Sequence, residues 1–125
     1  MRILRLVVCA IALAACAGPA PDDLIAVPTS APLPLFGPLA CNDALLEGEL
    51  VADAEFGFVV AHRGGPSPVT WPHGYVARDA LRRELLDDSG RVVAREGDTV
   101  ALGGGYGDAS PGFIVCGRFE VTPVP

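Results

Sequence analysis

The chain has 125 residues, nine arginines and no lysine against fifteen carboxylates, for a net charge of −6. That length suits one domain of ordinary size. The acidic balance argues against a nucleic-acid partner, and against a domain lying flat on anionic headgroups, because both carry negative charge.

Residues 1–15 read as a secretory signal peptide. Arg2 and Arg5 precede the run Leu6 to Ala15, ten uncharged and mostly apolar residues that end in small ones. A membrane-spanning helix takes about 20 apolar residues. This run is too short for that and has the basic start and apolar middle of a cleaved leader.

The leader ends in Leu13-Ala14-Ala15-Cys16, which resembles the lipobox of bacterial lipoproteins: a branched aliphatic residue, two small ones, then cysteine. The resemblance covers residues 1–16. It implies that the Cys16 sulfur receives a diacylglyceryl group, that the chain is cut just before it, and that the new N-terminus is acylated. Acyl chains then hold the protein, each buried methylene contributing about 0.8 kcal/mol. The alternative is ordinary cleavage at Ala12-Leu13-Ala14. Residue Ala17, where an aspartate tends to retain lipoproteins at the inner membrane, leaves the destination open among inner membrane, outer membrane and cell surface. Without the leader, seven arginines face fifteen carboxylates, a net charge of about −8; such an excess is commonly a solubility device.

With Cys9 in the leader and Cys16 lipidated, Cys41 and Cys116 remain. In an extracytoplasmic compartment two such thiols are expected to pair. A zinc site built from them with His62 and His73 lacks the usual ligand spacing, and neither metal nor cofactor is expected.

Residues 16–40 carry six prolines, at 19, 21, 28, 32, 34 and 38. Proline fixes φ and removes a donor, so this stretch is expected to be a semi-rigid tether. Its end is apolar enough, with Leu33, Leu35, Phe36 and Leu39, to lie down on the domain.

Residues 41–125 are expected to form a compact all-β domain, a small antiparallel barrel or sandwich, OB-like, of six or seven short strands. Leu46, Gly48 and Leu50 alternate with Glu47 and Glu49. Phe56, Phe58 and Val60 share a face, and Gly64 to Pro68 read as a turn. A strand over 69–79 is broken at Trp71-Pro72 and resumes at Tyr75. Residues 79–88 admit either a strand leading into a hairpin at Asp88-Ser89-Gly90 or a helix capped by Asp79; the β-branched run after the turn favours the strand. Val100 and Leu102 point inward. In the last strand Phe113, Val115, Phe119 and Val121 oppose Ile114, Cys116, Arg118 and Glu120, which puts the disulfide outside the main core.

Catalysis finds little support, and an enzyme centred on the histidines is the third reading. Ser67, Ser89 and Ser110 sit in expected turns without a nucleophile elbow, and Asp87 and Asp88 would point to opposite faces of a strand. His62 closes an apolar strand face, as a core or barrel-mouth histidine would. The run Gly103 to Asp108 fits neither a dinucleotide fingerprint nor a phosphate loop. The candidate ligand rim is Trp71, His73, Tyr75, Tyr106 and Asp108, aromatic and polar groups on two loops; the competing reading has Trp71 plugging the barrel and Pro72 and Gly74 shaping a turn. The order of features from Trp71 to Cys116 is similar to small uncharacterised bacterial envelope proteins, and implies no activity. The expectation is a lipid-anchored envelope protein, not an enzyme, with a binding or structural role toward envelope proteins or cell-wall glycan. The alternative is a small-ligand or metal-sensing module using the Trp71–Tyr75 and Gly103–Asp108 loops.

Overall fold

The computed structural model describes residues 23–32, 41, 43–107 and 112–125. Among these there are nine strands and no helix: β1 Leu24–Ile25, β2 Ala44–Asp53, β3 Gly57–His62, β4 Gly65–Thr70, β5 Val76–Arg78, β6 Glu84–Leu86, β7 Val92–Arg95, β8 Thr99–Tyr106 and β9 Phe113–Thr122. The count exceeds the six or seven expected because β1 lies in the segment read as tether and the strand expected beyond residue 69 is two, β4 and β5.

Five strands close a barrel in the order β2-β3-β4-β9-β8, and the other four form a sheet in the order β1-β5-β6-β7. Renumbered within the barrel, the order is 1-2-3-5-4-1, the strand order of an OB-type Greek-key barrel. The expected antiparallel barrel needs one correction: β4 and β9 run parallel, through Val69–Phe113 and Thr70–Ile114. Parallel neighbours need a crossover, and the chain from β5 to β8 supplies it.

Period-two alternation drives the core. Leu46 and Leu50 of β2, Phe58 and Val60 of β3, Val100 and Leu102 of β8, and Phe113 and Val115 of β9 are all buried. Two inward glycines let strands approach closely. A Cβ on Gly48 would run into the Ala61 carbonyl oxygen, and one on Gly104 would meet that of Ile114. Only glycine fits such backbone contacts.

The four-stranded sheet covers one end of the barrel. Ile25, Ala77, Leu85 and Ala94 align across its strands and pack into the same apolar cluster as the barrel residues. The next row is Leu24, Arg78, Glu84 and Arg95. It carries a charged chain in which Arg78 meets Glu84 at 2.7 Å and Arg95 meets it at 3.2 Å. Trp71, fully buried, fills the space between sheet and barrel and stacks edge-on against Phe119 at 6.0 Å.

Several expectations change. Gly65 to Pro68 belong to β4 and not to a turn. Pro66 and Pro68 are tolerated because β9 joins β4 only at Val69 and Thr70, so their missing N–H groups break no ladder. Phe56 lies in the turn between β2 and β3. Residues 84–86 form the strand β6 while Leu81 is fully exposed on a bend, which removes the helical alternative. The domain boundary also moves. Residues 23–32 were expected in the tether, yet β1 pairs with β5 and Thr29 bridges Trp71. The leader, Cys16 and residues 33–40 lie outside the described residues.

Cys41 and Cys116 are joined, with Cα atoms 5.7 Å apart and a sequence separation of 75. Cys116 sits at a bulge: Leu102 pairs with Phe119 and Gly104 with Val115, so Gly103 alone faces Cys116, Gly117 and Arg118. The bond lies on the flank of the barrel, with Cys41 exposed and Cys116 half-buried, outside the main core as its position in the alternation requires.

Candidate functional site

A cleft opens where β4 and β9 part. Beyond Thr70 the chain leaves β9 and pairs with the N-terminal segment: Trp71 N–H donates to the Pro28 carbonyl, and Ser30 N–H to that of Trp71, both at 2.8 Å. The gap so left has a volume of about 500 Å³. Val115 to Gly117 and Phe119 form one wall, Ser30 to Pro32 another, and Pro72, His73, Tyr75 and Asp88 complete the rim.

Tyr75 is half-buried and meets Phe119 edge-on at 6.4 Å. Burial pushes its phenol pKa up, and the carboxylates of Asp87 and Asp88 push it further against the opposing effect of Arg91. The hydroxyl therefore stays protonated and serves as a donor. Asp87 instead holds the β6–β7 turn. Its Oδ1 accepts the Ser89 hydroxyl at 2.6 Å and the amides of Ser89 and Arg91 at 2.9 and 3.0 Å. The Ser89 hydroxyl is the leading cause that lowers its carboxyl pKa. Asp88, the exposed neighbour, is left to face the cleft. Aromatic faces with hydroxyl, imidazole and carboxylate groups around them suit a small polar ligand or an extended peptide.

A second polar cluster closes the other end of the barrel. His62, Ser67 and Tyr106 occupy the inward positions that continue Phe58-Val60, Val69 and Leu102-Gly104 at the rim. The His62 Nε2 lies 2.8 Å from Ser67 Oγ, and that oxygen lies 3.4 Å from the Tyr106 hydroxyl. Tyr106 packs edge-on against Phe113 at 5.3 Å. His62 Nδ1 accepts the Gly64 amide at 3.2 Å, so the ring proton resides on Nε2 and is donated to Ser67. In this tautomer the imidazole has no lone pair for the serine proton, and the pair is not an activated nucleophile.

The five expected rim residues therefore separate. His73 and Tyr75 line the cleft, whereas Trp71 is packed in the core and is corrected from ligand rim to plug. Tyr106 belongs to the barrel mouth, and Asp108 lies outside the described residues. Along β4, Ser67 and Trp71 are four residues apart, about 13 Å of strand, so the two loops serve opposite ends. Gly103 borders a shallower depression of about 340 Å³ with Cys41, Asp43, Leu45, Gly117 and Arg118. Among the described residues no three of His, Cys, Asp and Glu gather as a metal site would require. Sequence reasoning missed Ser30 and Asp88 as neighbours of His73 and Tyr75, since only the β1 segment and the β6–β7 turn bring them there. No protein-family model, curated protein or solved structure matches the chain.

Proposed function

We propose that the chain is a lipid-anchored protein of the bacterial cell envelope whose β-domain has a binding or structural role, without catalysis. The observation that carries this reading is the cysteine arrangement. Cys41 and Cys116 satisfy each other, which leaves Cys16, at the end of the lipobox-like Leu13-Ala14-Ala15, as the thiol to be lipidated. A disulfide of this kind accords with an oxidising compartment. Envelope proteins and cell-wall glycan are the partners such a location offers.

The binding role is supported by the cleft beside Cys116, with His73, Tyr75 and Asp88 on one rim. The alternative small-ligand module keeps this half of its proposed site. It loses the convergence of two loops that it required, because Tyr106 stands at the barrel mouth with His62 and Ser67.

The test is mass spectrometry of the wild type and Cys16→Ala expressed in a bacterium. A diacylglyceryl-modified N-terminal Cys16 in the wild type, absent from the variant, is the expected result. An unmodified mature N-terminus in the wild type removes the anchor.

A further inference from the structure

The proline-rich segment does not hold the domain far from Cys16. The Asp23 carbonyl accepts the Asp79 amide at 2.8 Å, and Leu24 pairs with Arg78. The chain is thus fixed to the domain at residues 23–25. Six residues separate Cys16 from Asp23, a span of at most about 25 Å of extended chain. The end of the domain that bears Asp23 is the part nearest any bilayer that holds Cys16.

That end has the chemistry of a peripheral membrane contact. Three of the five exposed large apolar residues among the described residues gather there: Leu24 at 40%, Leu81 at 104% and Val124 at 49% exposure. Leu81 tips the bend between β5 and β6. Arg82 and the Val124 amide donate to the same Asp98 oxygen, which sets Val124 beside that bend. Charge is less acidic here than over the rest of the chain. Arg78, Arg82, Arg83 and Arg95, four of the seven arginines beyond Cys16, stand among Asp23, Asp53, Glu55, Asp79, Glu84, Glu96 and Asp98, so that three arginines are left to face the other eight carboxylates. An acidic domain meets an anionic surface with least repulsion through such an end. Leucine suits the acyl boundary just below the headgroups. The Arg83 guanidinium also donates to the carbonyls of Asp53 and Gly57 at 3.0 and 2.9 Å. That ties the bend to the end of the barrel opposite His62, Ser67 and Tyr106.

We propose that this end, led by Leu81, rests on the phospholipid surface in which Cys16 is anchored, with the barrel mouth turned away from the membrane. The inference rests on the lipid-anchor reading. It converts the tether from a stalk into a short leash and gives the domain one orientation.

The test uses the full chain, lipidated in a bacterium and reconstituted into phosphatidylethanolamine–phosphatidylglycerol vesicles with or without brominated acyl chains. Leu81→Trp and Tyr106→Trp each add one exposed indole to the buried Trp71. Brominated lipid is expected to reduce the emission added at position 81 at least twofold and to leave that added at position 106 unchanged. Mass spectrometry of the same samples reports the lipid on Cys16. If Cys16 is lipidated and position 81 is unquenched, or position 106 is the one quenched, the orientation is overturned while the anchor stands. If Cys16 carries no lipid, the anchor reading fails and takes this inference with it.

Discussion

Arg82 reaches from an exposed bend to a buried carboxylate, its guanidinium donating to Asp98 Oδ1 at 2.8 Å while 6% of the Asp98 side chain is exposed. The same carboxylate accepts the Val124 amide on Oδ1 and the Arg95 amide on Oδ2. The Asp98 carbonyl accepts the Leu50 amide, and the Gly97 amide donates back to Leu50. One acid thus joins the C-terminal segment, the β7–β8 turn and the middle of the barrel.

The acid stability of the fold is expected to depend on Asp98. Burial raises its pKa, but the amides of Arg95 and Val124 and the Arg82 guanidinium outweigh burial and hold the carboxyl below its ordinary value. A depressed folded pKa contributes stability above the unfolded value, about 4, and loses it as pH falls through the folded one. Asp98→Asn should cost about 2 kcal/mol near neutral pH, since hydrogen bonds to a charged acceptor are replaced by weaker ones. Denaturant melts at pH 7 and at pH 3 check this: the gap between wild type and variant should be wide at the first and narrow at the second. An equal gap at both would show that the ionised form is not what stabilises.

Reducing the disulfide should destabilise the domain without erasing it. Closing 75 residues corresponds to about 4 kcal/mol in the chain-entropy model, against the 5–15 kcal/mol typical of a folded domain. Cys41→Ser with Cys116→Ser should shift the denaturant midpoint accordingly and retain a β-type circular dichroism spectrum near neutral pH. The exposed Cys41 should make the bond reducible in the native state. Complete unfolding of the double variant would mean that the barrel contributes less than its closed topology implies.

The Ser67–His62 contact invites a hydrolase reading, and the proton inventory opposes it. With Nδ1 occupied by the Gly64 amide, Nε2 is the donor, so Ser67 accepts where a nucleophile would need to give its proton up. A fluorophosphonate probe should leave Ser67 unlabelled, and Ser67→Ala should cost about 1 kcal/mol, the worth of one hydrogen bond. Covalent labelling of Ser67 would overturn the tautomer and reopen catalysis.

Local alternation made the barrel strands legible: Val100 with Leu102 and Phe113 with Val115 point inward as their spacing requires. The cysteine pairing was legible too, because a leader that takes Cys9 and a lipobox that takes Cys16, as expected from the sequence, would leave two thiols over. What stayed hidden depends on contacts between distant segments. Gly65 to Pro68 carry turn composition, and only the missing partner on one side of β4 makes prolines acceptable there. Read as a strand, that run puts Ser67 on the face of Val69 and Trp71, and the meeting with His62 follows. Tyr106 joins them across 39 residues from Ser67, a distance that no short motif spans. The β1 segment was obscured by its prolines, although Leu24-Ile25 contains none and needs only an edge to pair with.

The contrast between Leu81 and Leu85 gives the sharpest check on the sheet that covers the barrel. Spaced four apart, the two would share one face of a helix, and burial of one would bury the other. Instead Leu85 is fully buried in the row Ile25, Ala77, Leu85, Ala94, while Leu81 is fully exposed. Leu85→Ala should cost about 3 kcal/mol through lost contacts and the cavity left behind. Leu81→Ala should change stability by less than about 0.5 kcal/mol. Urea melts of the soluble domain measure both. Similar losses at the two positions would restore the helix for residues 79–88, and with it undo the barrel's cover.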